Sequence, residues 1–247
     1  MLERFLNYGL CYIGYAVELV LFVLIACQGR WKRLTNLFVY LALLFTVDGA
    51  ARMYALYRFG LHSVRYSYFY WLSDDALALA AFLLVCSFFR RACRKKKELW
   101  HSLRFFLVWV FLLAVLITTF SLYRNFHHLH FNRFITEFEQ NLYFSCLVLN
   151  TLLYVMMQYI RNTDEELNLL VCGLGIQFAG PTASLAFTIL TPGGHPPFLF
   201  SYVDHLCFLG MLLVWAYAVL RVPETADIHI RGEKSQHLAE ATIRRAA

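Results

Sequence analysis

The chain has 247 residues, of which 60% are apolar or aromatic and 15% charged, with a formal net charge of +6 and a mean hydropathy of +0.55. A soluble domain is about 45–50% apolar and about 25% charged, so a soluble globule of this length would lack the charge to cover its surface. The same balance excludes disordered, collagen-like and disulfide-framework chains.

A helix that crosses a bilayer takes about 20 mainly apolar residues. Seven stretches meet that requirement: 8–27, 35–57, 67–89, 104–123, 138–160, 167–190 and 198–220. Their apolar runs are continuous rather than alternating. That fits helices and not a barrel, whose strands would be about 10 residues each. The expected fold is all-α: a polytopic bundle of seven transmembrane helices over residues 1–221, then a short polar cytoplasmic tail over 222–247. The first run ends on Leu24-Ile25-Ala26-Cys27, a lipobox-like string. We expect it to be kept as a span, because Glu18 interrupts its apolar core and the residues before it carry no basic surplus.

Lys and Arg in short loops set the orientation. Placing the N-terminus outside puts 28–34, 90–103, 161–166 and the residues after 220 in the cytoplasm. Only Arg4, Arg52, Arg58, Arg65, Arg124 and Arg133 fall outside those segments and the adjoining Arg104. The topology is therefore expected to be N-out and C-in. The net charge follows from that orientation and from anionic inner-leaflet lipid, with no nucleic acid implied.

Ionisable groups inside a membrane need a partner or a wet cavity. In chain order they are Glu18 near mid-span, Asp48 and Arg52 in the second span, and Asp74 and Asp75 in the third. Glu137 and Glu139 open the fifth, and Asp204 with His205 lies near the outer end of the seventh. All fall at the midplane or outside it, and the inner half is expected to be nearly dry. That asymmetry points to a pocket open to the outside, lined by Glu18, Asp48, Arg52, Asp74, Asp75, Glu139, Gln177, Asp204 and His205. Asp48 and Arg52 are four residues apart and can also satisfy each other on one helix face. In the sixth span Gly173, Gln177, Gly180, Ser184 and Thr188 form one small or polar stripe, a packing seam in which Gln177 faces the cavity. Pro181 within it frees the carbonyl of residue 177 and provides a joint.

Chemistry is expected to be absent. All lysines lie outside the spans, so no retinal Schiff base can form, and His205 alone cannot hold a haem. Ser184 and His205 lack the G-x-S setting of an intramembrane serine protease. No phosphate or dinucleotide motif appears. The seven cysteines are scattered without a C-x-x-C pair and read as packing residues. His62, His127, His128, His130 and His195 are expected to be polar loop residues, and no metal or cofactor is expected.

Three segments carry a resemblance: Tyr70-Trp71-Leu72-Ser73-Asp74-Asp75, Glu137-Phe138-Glu139-Gln140-Asn141-Leu142-Tyr143-Phe144, and Trp215. Over residues 5–221 the chain resembles an uncharacterised family of small seven-helix bacterial integral membrane proteins of acidobacterial type. The resemblance implies the fold and a bacterial inner membrane, and it supplies no catalytic residue. The expected function is that of a non-enzymatic sensor or receptor-like protein, signalling to a cytoplasmic protein partner through the basic 90–97 loop. The alternative is a proton- or cation-coupled small-solute transporter using the same carboxylates. A third reading is a scaffold whose polar groups pair among themselves.

Overall fold

A computed structural model describes residues 2–27, 34–60, 63–95, 97–124, 131–160, 164–190 and 200–221. Among these residues the chain forms seven helical rods and no strand. They are α1 (Leu2–Cys27), α2 (Thr35–Phe59), α3 (Val64–Ala92), α4 (Lys97–Arg124), α5 (Phe131–Ile160), α6 (Glu165–Leu190) and α7 (Phe200–Arg221). Each overlaps one of the seven apolar runs. Five are long and apolar enough to cross a membrane: α2, α3, α4 over Glu98–Phe120, α5 over Glu137–Ile160 and α7 over Tyr202–Arg221. The Tyr12–Cys27 part of α1 is a shorter apolar stretch.

Each helix buries one stripe. On α5 it is Leu142, Cys146, Leu149, Leu153 and Met157, at spacings of three and four that keep them on one face. On α4 it is Leu107, Ala114 and Thr118. Phe105, Trp109, Leu113, Leu116 and Phe120 of α4 are exposed. Of the five long apolar helices, α3 is the most enclosed and α4 the least. An apolar belt of this breadth on a peripheral helix is the surface expected to face lipid.

α6 and α7 pack most closely. Gly173 admits the Trp215 indole, whose Nε1 would lie 2.6 Å from an added Cβ. That indole donates to the Leu170 carbonyl at 2.9 Å, which settles the one polar atom of the largest buried side chain. Gly180 likewise lets the backbone approach Asp204 and Cys207. The small-residue stripe of α6 is therefore a packing seam against α7, with Gln177 turned to another neighbour. α1 sits on the other side of α7, with Phe208 against Gly14, and meets α2 through the stacked rings of Phe22 and Phe38.

α2 is irregular where it matters. Phe45–Ala51 forms a π-helical turn, in which the Arg52 N–H reaches back five residues to the Val47 carbonyl. Thr46 helps to open it by donating back to the Ala42 and Leu43 carbonyls, a contact that loosens the local ladder. The helix closes on Gly60, whose φ of +78° is a conformation that side chains disfavour.

Candidate functional site

The π turn places Asp48 and Arg52 on the side of α2 that meets α3. Arg52 distributes its donors in three directions. It pairs with Asp48 at 2.7 Å and with Asp74 of α3 at 2.5 Å. Its Nε–H donates to the Ser73 hydroxyl at 3.0 Å. The guanidinium lies over the Tyr70 ring, 4.3 Å from the centroid, a cation–π contact. Ser73 in turn donates to the Tyr70 carbonyl. The Asp48–Arg52 pair anticipated from spacing is present, and α3 contributes a second acid to it.

Three more carboxylates surround this pair. Asp75 follows Asp74 along α3, and its Oδ1 is buried without a hydrogen-bond partner among the described residues. Glu139 of α5 interacts electrostatically with Asp74, Asp75 and Arg52. Glu18 of α1 is fully buried, interacts with Asp48, and has neither oxygen hydrogen-bonded among the described residues. The Tyr15 hydroxyl, one turn before it, donates to the Asp48 carbonyl at 3.4 Å. That carbonyl belongs to the π turn.

Gln177 of α6 bounds the cluster on its inner side. Its amide nitrogen donates to the Tyr40 hydroxyl at 3.2 Å, and the Tyr40 ring stands edge-on to Trp215. Tyr40 and Tyr143 both feel the cluster acids, Tyr40 through Glu18 and Asp48, and Tyr143 through Glu139 and Asp74. Of the nine residues singled out from the sequence, seven therefore gather between α1, α2, α3, α5 and α6: Glu18, Asp48, Arg52, Asp74, Asp75, Glu139 and Gln177. The structure does not bring Asp204 and His205 to them. Both are exposed on α7, and Asp204 instead accepts from Ser184 of α6 at 3.5 Å and interacts with His205.

Tyr70, Ser73 and Tyr143 enter the sequence reading only within the resembling segments, and Tyr40 does not enter it as a site residue. A helical-register signal existed for Tyr15 and Tyr143, since Tyr15 precedes Glu18 by three residues and Tyr143 follows Glu139 by four. Tyr70, Ser73 and Tyr40 needed the helix pairing.

The opposite end of the bundle is more polar than the sequence indicated. Arg91, at the end of α3, holds Asp164 at 2.9 Å and the fully buried Glu166 at 2.6 Å. Asp164 also caps α6 by accepting the Leu167 N–H at 3.2 Å. Asn150 is buried nearby on the α5–α6 contact and donates to the Val171 carbonyl. The Asp164–Glu166 segment, expected in the connection before the sixth span, instead opens α6 against the end of α3. Arg91 is thus bound internally, whereas Arg90 and Arg94 are exposed.

No three His, Cys, Asp or Glu side chains converge as a metal site among the described residues. His62, His127, His128, His130 and His195, and the 222–247 tail, lie outside those residues. Comparisons with protein-family models, with curated proteins and with solved structures find no match to this chain.

Proposed function

We propose that this chain is a seven-span protein of a bacterial inner membrane, N-terminus out and C-terminus in, acting as a sensor or receptor-like protein for an ion or small cationic solute. Membership of the acidobacterial-type seven-helix family is part of the same reading. The ligand enters from the outer side and meets Asp75 and Glu139 before the deeper Asp48 and Glu18. A cytoplasmic protein reads the occupied state through Arg90, Arg94 and their neighbours in the basic segment. No reaction is assigned to the chain.

One observation carries the reading. Five carboxylates, Glu18, Asp48, Asp74, Asp75 and Glu139, interact with one another in one network, and the cation shown to pair with them among the described residues is Arg52, which holds Asp48 and Asp74. Internal pairing leaves a surplus of acid, which a scaffold has no use for and a cation offsets. Ionisable groups at membrane depth mark ligand and ion paths by default.

The test is directional access. In a background without other cysteines, Asp75→Cys in intact cells reacts with a membrane-impermeant maleimide added outside. Reaction only after permeabilisation overturns the outward-open pocket.

The second reading, a proton- or cation-coupled transporter, draws support from the depth of the acid series, which runs from Glu139, two turns into α5, to the enclosed Glu18. Proteoliposomes loaded with a pH-sensitive dye separate the two. A sensor gives no flux under an imposed cation gradient. A carrier gives flux that Asp75→Asn abolishes.

A further inference from the structure

Residues 90–104 hold seven Arg or Lys against one acid, Glu98, which leaves a net +6. That equals the formal charge of the whole chain, so the other residues balance to zero and the excess lies at the junction of α3 and α4. The fold uses one of these cations internally, since Arg91 is held by Asp164 at 2.9 Å and by Glu166 at 2.6 Å. Arg90, Arg94 and Arg104 are exposed and make no ion pair among the described residues.

On α4 this charge runs into an apolar stripe. His101, Arg104, Phe105, Val108, Leu112 and Leu116 follow at spacings of three, one, three, four and four, which keeps them on one helix face, and all six are exposed. Leu107, Ala114 and Thr118 form the opposite, buried stripe. The His101 ring stands edge-on to Phe105 with centroids 5.3 Å apart, where the polar and apolar parts meet. From Arg104 to Leu116 the helix rises about 18 Å, a little more than half of a hydrocarbon core of roughly 30 Å. A basic end followed by one leaflet's depth of apolar side chains is complementary to an anionic phospholipid. A guanidinium offers paired donors to phosphate oxygens, and acyl chains lie on the apolar side chains beyond it. A soluble anion matches the basic end and leaves the stripe bare.

We propose that the 101–116 face of α4 is a binding site for an anionic phospholipid of the cytoplasmic leaflet. The headgroup phosphate sits on Arg104 and His101, and the acyl chains lie along Phe105, Val108, Leu112 and Leu116. Arg90 and Arg94 remain for the cytoplasmic partner. The inference rests on the membrane topology proposed above and not on the outer pocket.

Brominated acyl chains quench tryptophan fluorescence on contact, and Trp109, 69% exposed, adjoins this face one turn after Phe105. The full chain is reconstituted in phosphatidylcholine bilayers that contain the same mole fraction of brominated phosphatidylglycerol or brominated phosphatidylcholine. Phosphatidylglycerol binds about tenfold more tightly, and Arg104→Gln cuts that preference about fivefold, the contribution of one basic residue near an anionic surface. Trp109→Phe removes the difference in quenching, while the other tryptophans still report. Arg58→Gln removes the same charge from an exposed arginine in the last turn of α2 and leaves the preference unchanged. Inorganic phosphate at equal ionic strength does not displace the lipid. Equal quenching of the wild type by the two lipids overturns the site. So does a preference that survives Trp109→Phe or Arg104→Gln, that Arg58→Gln lowers as much, or that inorganic phosphate abolishes. The two readings fail separately. Loss of the lipid preference leaves outward labelling of Asp75→Cys intact, and blocked labelling leaves the lipid preference intact.

Discussion

Arg52 joins two helices through acids that are each about three-quarters or more enclosed, with Asp48 at 23% and Asp74 at 22% side-chain exposure. Removing the guanidinium leaves both carboxylates facing each other without a cation. Arg52→Gln therefore lowers stability by about 3 kcal/mol, the low end for breaking a buried pair, because some water still reaches these acids. Thermal unfolding in micelles measures it, and a loss below about 1 kcal/mol would mean that the network is solvated like a surface pair. At Gly173 the limit is space, since a methyl group there meets the Trp215 indole at 2.6 Å. Gly173→Ala costs about 1–3 kcal/mol by overpacking, and the near-ultraviolet circular dichroism of Trp215 changes with it. The Asp48–Arg52 contact was legible from a spacing of four. Its extension to Asp74, Ser73 and Tyr70 was not, because spacing along one helix says nothing about which helix stands opposite.

At the scale of the element, the π turn of α2 decides where Arg52 points. One extra residue within a helix rotates everything after it by about 100°. Deleting Ala50 restores the α-helical register and turns Arg52 away from Asp74. The variant should then respond to Arg52→Gln by less than about 1 kcal/mol, because the ion pairs that the substitution removes are already gone. A full loss in the deletion background would show that the turn does not set the register. The other end of α3 has its own clasp, in which Arg91 holds Asp164 and Glu166 of α6. Arg91→Gln leaves Glu166 buried and stripped of its guanidinium, at a cost of about 3–5 kcal/mol. Asp164→Ala loses a cap and one partly exposed pair, at about 1–2 kcal/mol. Reversal of that order would mean that the cap, not the buried acid, holds α6 in place. Pro181, expected to be a joint, lies inside α6, the helix runs on either side of it, and the Thr182 hydroxyl donates to the Phe178 carbonyl at 2.7 Å. Neighbouring hydroxyls of this kind re-satisfy backbone groups near a proline in an apolar setting.

For the whole molecule, charge distribution sets the orientation and apolar surface sets the medium. Reporter fusions in a bacterial host are expected to place Lys95 and Ala247 in the cytoplasm, and the α2–α3 connection near Ser63 outside. A fusion at Lys95 that is active only outside would invert the topology and move the acid cluster to the cytoplasmic half. The seven helical stretches could be read from apolar run length alone, because a segment that buries no polar backbone in lipid must be helical over its whole length. Which acids share a space had to await the packing. Asp204 is as deep and as acidic as Asp75 in a one-dimensional reading, yet it faces the α6–α7 seam with Ser184. Glu166 reads as loop and proves to be buried under α3.

Composition and run length thus determined that the chain is helical and apolar, and where each helix ends to within a few residues, since these follow from local hydrogen bonding and hydrophobic length, whereas α1, α4 and α5 begin six or seven residues before their apolar runs. The grouping of Glu18, Asp48, Asp74, Asp75 and Glu139, with Arg52 between Asp48 and Asp74, was decided by tertiary structure. It depends on the rotation of each helix about its axis, and close contacts such as Gly173 against Trp215 and the extra residue in the π turn fix that rotation.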